Sequence, residues 1–179
     1  MYAAPDMPHG SPAKVSMQDT GHAGAVAKIL KGYAERGVFR GFAAGPLERG
    51  KQTFEIFWHY GRRYPLVLDL QARTLAFRRL LPEVPRDSPM IGALRDFVAA
   101  FASSEVPEHR RLDSGTGILK VRKVRGALSL EMQVLGQQYE ACTRRLVHVT
   151  HEIFLVFLRE GPYFDYRCQA LGLDPDSWG

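Results

Sequence analysis

The sequence predicts an α+β domain in which an antiparallel sheet of about five to six strands is covered by helices. Short runs of alternating apolar residues follow one another with only brief turns between them, which is typical of an antiparallel meander. Longer segments with apolar residues at helical spacing stand before, between and after these runs. The predicted order is α-β-β-β(-β)-α-β-β-α, and separate runs of strands and helices are typical of the α+β class.

Composition agrees with one globular domain. Of the 179 residues, 45% are hydrophobic and 24% are charged, which are ordinary values for a folded protein. Residues 1–18 contain Pro, Gly, Ser and Met without any period, so we expect a flexible arm there and a single domain over residues 19–179. The chain has no apolar run long enough to span a membrane. Its two cysteines, Cys142 and Cys168, indicate no disulfide framework, and we expect a cytoplasmic protein.

Three long helices are predicted from apolar residues spaced three and four apart. Asp19 or Thr20 is expected to cap the first helix, and Gly37 to end it in a left-handed conformation. The second helix is expected to begin near Ser88–Pro89, because Ser caps helices and Pro suits the first turn. The third and clearest helix is predicted from about residue 138 to residue 160.

Six segments are predicted as strands, at residues 38–44, 53–60, 64–70, 74–81, 117–124 and 128–135. In the second of these, every other residue from Phe54 to Tyr60 is apolar, which places Phe54, Ile56, Trp58 and Tyr60 on one face. Phe57 breaks the alternation, so we expect the opposite face of this strand to be partly covered.

This order of elements resembles the type III secretion chaperone-like fold, including the YbjN-like family. The resemblance covers roughly residues 20–160 and rests on a meander, a helix, a hairpin and a closing helix, which read TFEIFWHYGRRYPLVLDLQARTLAF, SPMIGALRDFVAAF, ILKVRKVRGALSLEMQVL and TRRLVHVTHEIFLVFL. It implies a cytoplasmic, often dimeric and non-catalytic protein that binds other polypeptides on its sheet or helix surfaces. Secretion chaperones are usually acidic, whereas this chain has a formal net charge of +5, so the YbjN-like family is the better match.

No motif in the sequence indicates catalysis. No serine lies in a GxSxG elbow, and the glycines of DSGTGILK fit neither of the phosphate-loop patterns. Cys142 falls on the apolar face of its helix, where a thiol usually acts as a small hydrophobic group. We therefore expect a protein that is not an enzyme and has no cofactor.

His148 and His151 form the one pattern that suggests a metal site. Their spacing of three places both rings near one side of a helix. The pattern matches neither HExxH nor HxxEH, and a third ligand such as His109 or Asp113 would have to come from a distant segment. We expect two partly exposed histidines beside an apolar stripe rather than a metal centre.

The leading functional hypothesis is an interaction or chaperone-like module that binds another polypeptide or itself as a homodimer. Aromatic residues and arginine dominate binding hot spots. The candidate protein-binding residues lie on the sheet, beside it and in the tail, and they are Phe57, Trp58, Arg78, Arg79, Tyr163, Phe164 and Tyr166. The alternative for the aromatic members of this set is that they belong to the core.

A second hypothesis is binding of nucleic acid or another polyanion through a basic sheet face. The candidate residues are Arg62, Arg63, Lys120, Arg122, Lys123 and Arg125. Strand alternation directs Lys120 and Arg122 to one face of the sheet and Lys123 to the other. The sequence has no RNA-recognition motif and its net charge is modest for a nucleic-acid-binding protein. A third hypothesis is a small-ligand binder or enzyme with a pocket between the sheet and the helices.

Overall fold

The computed structural model describes residues 16–112, 115–159 and 163–173, so residues 1–15 of the predicted arm lie outside it. Helix α1 (Met17–Glu35) begins at least three residues earlier than the expected cap at Asp19 or Thr20 implies, and residues 17 and 18 are helical rather than part of an arm. Ser16, not Asp19 or Thr20, caps this helix. The Ser16 hydroxyl accepts a hydrogen bond from the Asp19 amide, and the Asp19 carboxylate accepts one from the Ser16 amide, which is a reciprocal capping box.

Six antiparallel strands form one sheet, which confirms the predicted α+β class. The strands are β1 (Gly41–Ala44), β2 (Lys51–Phe57), β3 (Arg63–Asp69), β4 (Thr74–Leu81), β5 (Gly117–Val124) and β6 (Ala127–Val134). Their spatial order is β1-β2-β3-β4-β6-β5, so β1 and β5 are the two edge strands. Consecutive strands pair except that β6, not β5, lies beside β4.

The second strand ends earlier than its alternating sequence predicts. The amide of Trp58 donates to the carbonyl of Arg62, and His59–Gly61 form a short 3-10 turn instead of a strand. Tyr60 lies in this turn with φ of 52°, a left-handed conformation that a strand residue does not adopt. Residues 58–60 were therefore wrongly assigned to the strand, although Trp58 does point to the predicted side.

Three further helices complete the fold. Helix α2 (Met90–Ala100) has Pro89, not the expected Ser88, at its N-cap position, and the Ser88 hydroxyl accepts a hydrogen bond from the Met90 amide. Helix α3 (Tyr139–Glu152) changes at its end into a π-helical turn, Ile153–Phe157, in which the Leu158 amide donates to the Ile153 carbonyl five residues earlier. The tail forms α4 (Phe164–Leu171). No helix in the described ranges is both long enough and apolar enough to cross a membrane.

The core lies between one face of the sheet and the helices. Phe54, Leu66, Phe77 and Leu130 stand in register across β2, β3, β4 and β6 and are at most 1% exposed. Buried residues of α1, α2 and α3 belong to the same cluster. The opposite face, here called the open face, carries the exposed or partly exposed alternate residues of β2, β3 and β5, whereas Ala76 of β4 and Ser129 of β6 on this face are buried. Covering by helices on one face alone is common for antiparallel sheets.

Candidate functional site

An apolar strip crosses the open face at the β1 end of the sheet. Phe57 pairs with Gly41 of β1 and lies diagonally across from Ala43, while Pro65 and Val67 of β3 lie beyond it on the same face. These five residues are called the apolar strip below. Phe57 is 36% exposed and borders a shallow depression of about 440 Å³. Two charged residues also line this depression: Glu55, between Ala43 and Pro65, and Arg63, opposite Phe57. A large aromatic ring in this outward position is unusual for a solvated sheet face, where polar residues are the rule.

Charged residues of both signs lie elsewhere on the open face, together with the exposed Ile118 and Val124 of β5. Lys51 Nζ lies 3.0 Å from a carboxylate oxygen of Asp69. Glu131 lies between two arginines, with Arg78 at 3.6 Å and Arg122 at 3.3 Å. These pairs form between adjacent strands, because β2 lies beside β3 and β6 lies between β4 and β5. Arg78 and Arg122 are thus partly neutralised within the chain.

The structure separates Phe57 from Trp58, which the sequence hypothesis placed in one protein-binding surface. Trp58 is only 5% exposed. Its ring packs 4.9 Å from Phe39 and 6.3 Å from Phe77. Trp58 is therefore a core residue, and its assignment to a binding surface is corrected.

The two neighbouring arginines of β4 differ as well. Arg78 lies on the open face in contact with Glu131, whereas Arg79 is exposed at an irregularity where the register between β4 and β6 shifts. Arg79 has φ of 51° and its amide donates to the Ser129 hydroxyl. The two side chains therefore do not act as one pair on one surface.

The tail aromatics mostly pack against the domain. Tyr163 stacks on Phe157 with ring centres 4.8 Å apart. The Tyr166 hydroxyl donates to the carbonyl of Pro82, and burial raises the pKa of this hydroxyl well above its usual value. Phe164 alone of the predicted three is clearly exposed, at 44%. Tyr163 and Tyr166 thus favour the packing alternative over a joint binding surface.

The predicted polyanion-binding residues do not share one surface. Arg62 donates to the Ala170 carbonyl of α4, and Arg63 follows on the open face beside Phe57. Lys120 and Arg122 share one face, as predicted from strand alternation, and this is the open face at the far edge. Lys123 points the other way and donates to the Pro85 carbonyl. Together with Arg86, Lys123 and Arg125 line a basic pocket of about 440 Å³ at the turn after β5.

A groove runs between α2 and the β5 edge. Its walls come from α2 and the segment that follows it, and its floor is β5 from Gly117 to Arg122. The volume is about 480 Å³, and the wall residues are Arg95, Val98, Ala99, Ala102 and Leu112. Sequence reasoning missed this groove because α2 and β5 come together only in the folded chain.

His151 forms a pair with His59 and not with His148. The Nδ1 atom of His151 lies 3.2 Å from Nε2 of His59, whereas His148 faces Glu152 at 3.9 Å. His59 also stacks on Phe154 of the π-helical turn, with ring centres 4.4 Å apart. Nothing in the sequence links His59 to the HVTHE segment, since 92 residues separate it from His151.

Burial dominates the chemistry of this pair. Burial, with a smaller contribution from His151, lowers the pKa of His59 from 6.5 to about 3, and burial also lowers the pKa of His151. Both rings are therefore neutral near pH 7, with one nitrogen donating to the other. Among the described residues, no three of the His, Cys, Asp and Glu side chains are grouped as metal ligands; Asp113, one of the suggested third ligands, lies outside them.

Comparison with known proteins identifies no relative of this chain, since no family model, no curated protein and no solved structure matches it.

Proposed function

We propose that this chain is a protein-interaction module without catalytic activity, and that it associates with a second copy of itself through the open face. The observation that carries the proposal is the outward position of Phe57 in the apolar strip. Aromatic residues at the centre of an interface contribute much of its binding energy. The resemblance of the element order to the YbjN-like, chaperone-like proteins supports the same class of function.

A second copy suits this surface because the open face carries both signs of charge. A two-fold interface brings the same patch of both subunits together and must be self-complementary. Glu55 and Arg63 lie among the residues of the apolar strip, and the Lys51–Asp69 and Arg78–Glu131 pairs lie beside it, so this part of the face offers both signs of charge. Apolar centres with polar rims are typical of protein interfaces.

The module is further proposed to act in the cytoplasm. Neither Cys142 nor Cys168 forms a disulfide in the described part of the chain, and cysteines outside disulfides are typical of proteins in reducing compartments. Cys142 is buried, with its thiol donating to the Thr116 carbonyl, which supports a packing role for this residue.

Replacing Phe57 by glutamate is expected to convert a dimer into a monomer. The substitution places a charge at the centre of each copy of the interface, where two like charges would be desolvated together. Because Phe57 is already 36% exposed, the free energy of unfolding of the monomer should change by less than about 1 kcal/mol. Size-exclusion chromatography with light scattering, at several protein concentrations, measures the mass.

Leu155→Glu is the matched control, since Leu155 is 44% exposed on the helical side of the molecule. It should leave the dimer intact. A wild-type chain that is monomeric at high concentration, or a dimer lost in Leu155→Glu and kept in Phe57→Glu, contradicts the proposed interface.

A second candidate function, binding of a polyanion, is favoured by the basic pocket of Arg86, Lys123 and Arg125. Under this function the wild-type chain is expected to bind a labelled single-stranded oligothymidylate in fluorescence anisotropy. Three neutralised phosphates would make the logarithm of the binding constant fall with a slope of about −2 against the logarithm of salt concentration. Arg125→Glu should abolish this binding and Arg63→Glu should not. Equal effects of the two variants, or binding that is independent of salt, would exclude the pocket as its site.

A further inference from the structure

We propose that the groove between α2 and the β5 edge binds an extended, acidic segment of another protein, which joins the sheet as a seventh strand. The inference rests on the proposed function only in taking the chain to be a protein-binding module. It concerns a different surface from the apolar strip, which lies at the opposite edge of the sheet. The two proposals can therefore fail separately.

The backbone of β5 provides the first part of the site. β5 has eight residues, Gly117–Val124, and in the described chain β6 is its one neighbouring strand. Alternate amide and carbonyl groups along its outer side thus face away from the sheet, which is a ready template for another strand. The opposite edge strand, β1, has four residues, so it offers a much shorter template.

The wall of α2 provides the second part. Binding by strand addition uses main-chain hydrogen bonds for affinity and adjacent side-chain pockets for specificity. Val98, Ala99 and Ala102 form such a wall beside the edge. The two alanines are small and exposed, which leaves space for the apolar side chains of a bound strand. A peptide in the groove would contact Leu119 and Val121 on the same side, because both are only partly covered by the core.

Charge defines the partner. Arg95 on α2 and Lys120 and Arg122 on β5 line the groove, and none of its described lining residues is acidic. Glu131 neutralises part of the Arg122 charge but lies on the neighbouring strand. Basic residues around an open edge favour a partner with Asp or Glu at alternate positions, since these side chains would face Lys120 and Arg122 across the new pair of strands.

The same charges disfavour the other occupants. Pairing of β5 with β5 of a second copy in the antiparallel register centred on Val121 would set Lys120 opposite Arg122 of that copy, and like charges directly opposite are destabilising. Single-stranded nucleic acid is bound by aromatic platforms as well as charge, and none of the described lining residues is aromatic. An acidic polypeptide can form hydrogen bonds with the open edge of β5 and can also pair with the basic residues of the groove.

The test uses the full chain and labelled peptides of about eight residues, the length of β5, in fluorescence anisotropy. A peptide of alternating glutamate and valine is expected to bind at least about tenfold more tightly than its lysine–valine counterpart, a difference of about 1.4 kcal/mol. Methylating every second backbone nitrogen on its ladder-forming side should abolish binding. Hydrogen exchange of amides in residues 117–124 should slow in the complex.

Variants locate the binding. Ala99→Phe fills the groove from an exposed helix position without adding charge, and Lys120→Glu reverses a charge on the edge. Each substitution should weaken peptide binding at least about tenfold. Thr53→Glu, on the open face away from β5, is the matched control and should leave the affinity for the peptide unchanged. Phe57→Glu should also keep peptide binding, even if it abolishes the dimer.

The proposal is overturned by equal affinities for the two peptides, by no binding up to about 1 mM, the weak end of the affinity scale, or by an unaltered affinity of Ala99→Phe. Two results together would identify a polyanion site rather than a strand-binding site. Oligothymidylate at equal charge concentration would displace the peptide, and methylation of the peptide backbone would not reduce the peptide's affinity. A chain that is always monomeric yet binds the peptide as described would overturn self-association and leave this proposal standing.

Discussion

Replacing Trp58 by alanine is expected to lower the free energy of unfolding by about 3–5 kcal/mol, the range for deleting a large buried aromatic ring. Trp58 is 5% exposed and belongs to the core cluster. Its ring contacts Phe39 edge-on and lies parallel to His151, at an interplanar angle of 5°. Alanine would leave a cavity beneath the end of β2, and the surrounding rings can close it only in part.

Phe57→Ala, one residue earlier, should change the same free energy by less than about 1 kcal/mol in the monomer, as is usual for exposed positions. Urea unfolding followed by circular dichroism at low protein concentration measures both values. Trp58→Phe, which keeps an aromatic ring, is the control, and its free energy of unfolding should fall clearly less than that of Trp58→Ala. If the losses for Trp58→Ala and Phe57→Ala were equal, the assignment of one ring to the core and the other to the surface would be wrong.

The neighbouring residues Phe57 and Trp58 show how much of the structure of β2 can be predicted from its sequence. The alternation from Phe54 to Trp58 predicts the face of each residue correctly, because side chains of a strand alternate whatever they contact. It does not say which face the helices cover at the strand's end. Because Trp is common in binding hot spots, Trp58 was assigned to the surface. Its burial is decided by packing against Phe39, which precedes the neighbouring strand β1.

Element boundaries were predicted less well than element order. Ser16 and Asp19 stand at the spacing of a capping box, but the Pro- and Gly-containing residues before them made the segment look like an arm. The spacing of apolar residues does not reveal the π-helical turn at Ile153–Phe157, because residues 153–158 are all apolar and therefore mark no single face. A π-turn inside a helix often accompanies a functional site, and here it carries Phe154 onto His59.

The candidate sites depend on contacts between distant segments, and this is why sequence reasoning missed them. The groove requires α2 to lie beside β5, whose position at the edge follows from β6 inserting next to β4. The basic pocket requires Arg86 to approach the turn after β5. Strand order in a sheet is a property of the whole fold, so the residues of β5 alone indicated its basic face and not its open edge.

The stability of this protein is expected to fall as the pH is lowered from about 6.5 towards about 3, because of the histidine pair. The pKa of His59 is 6.5 in its ordinary state and about 3 in the fold, so between these values the unfolded chain binds a proton that the native chain does not. Stability then decreases with falling pH. Between pH 7 and pH 5 the loss from His59 alone amounts to about 2 kcal/mol, and His151, whose pKa is also lowered, adds to it.

His59→Gln tests the origin of this dependence, since glutamine keeps hydrogen-bonding groups near His151 but does not titrate. The variant should be less stable than the wild type at pH 7, where the stacking on Phe154 is lost, yet its stability should change less between pH 7 and pH 5. Urea unfolding at both pH values provides the comparison. His109→Gln is the control, because His109 is exposed in the segment after α2, and it should keep the wild-type dependence. If the free energy of unfolding falls equally between pH 7 and pH 5 in the wild type and in His59→Gln, other groups cause the acid sensitivity. If it falls less in His59→Gln but not in His109→Gln, the buried histidine pair is the source.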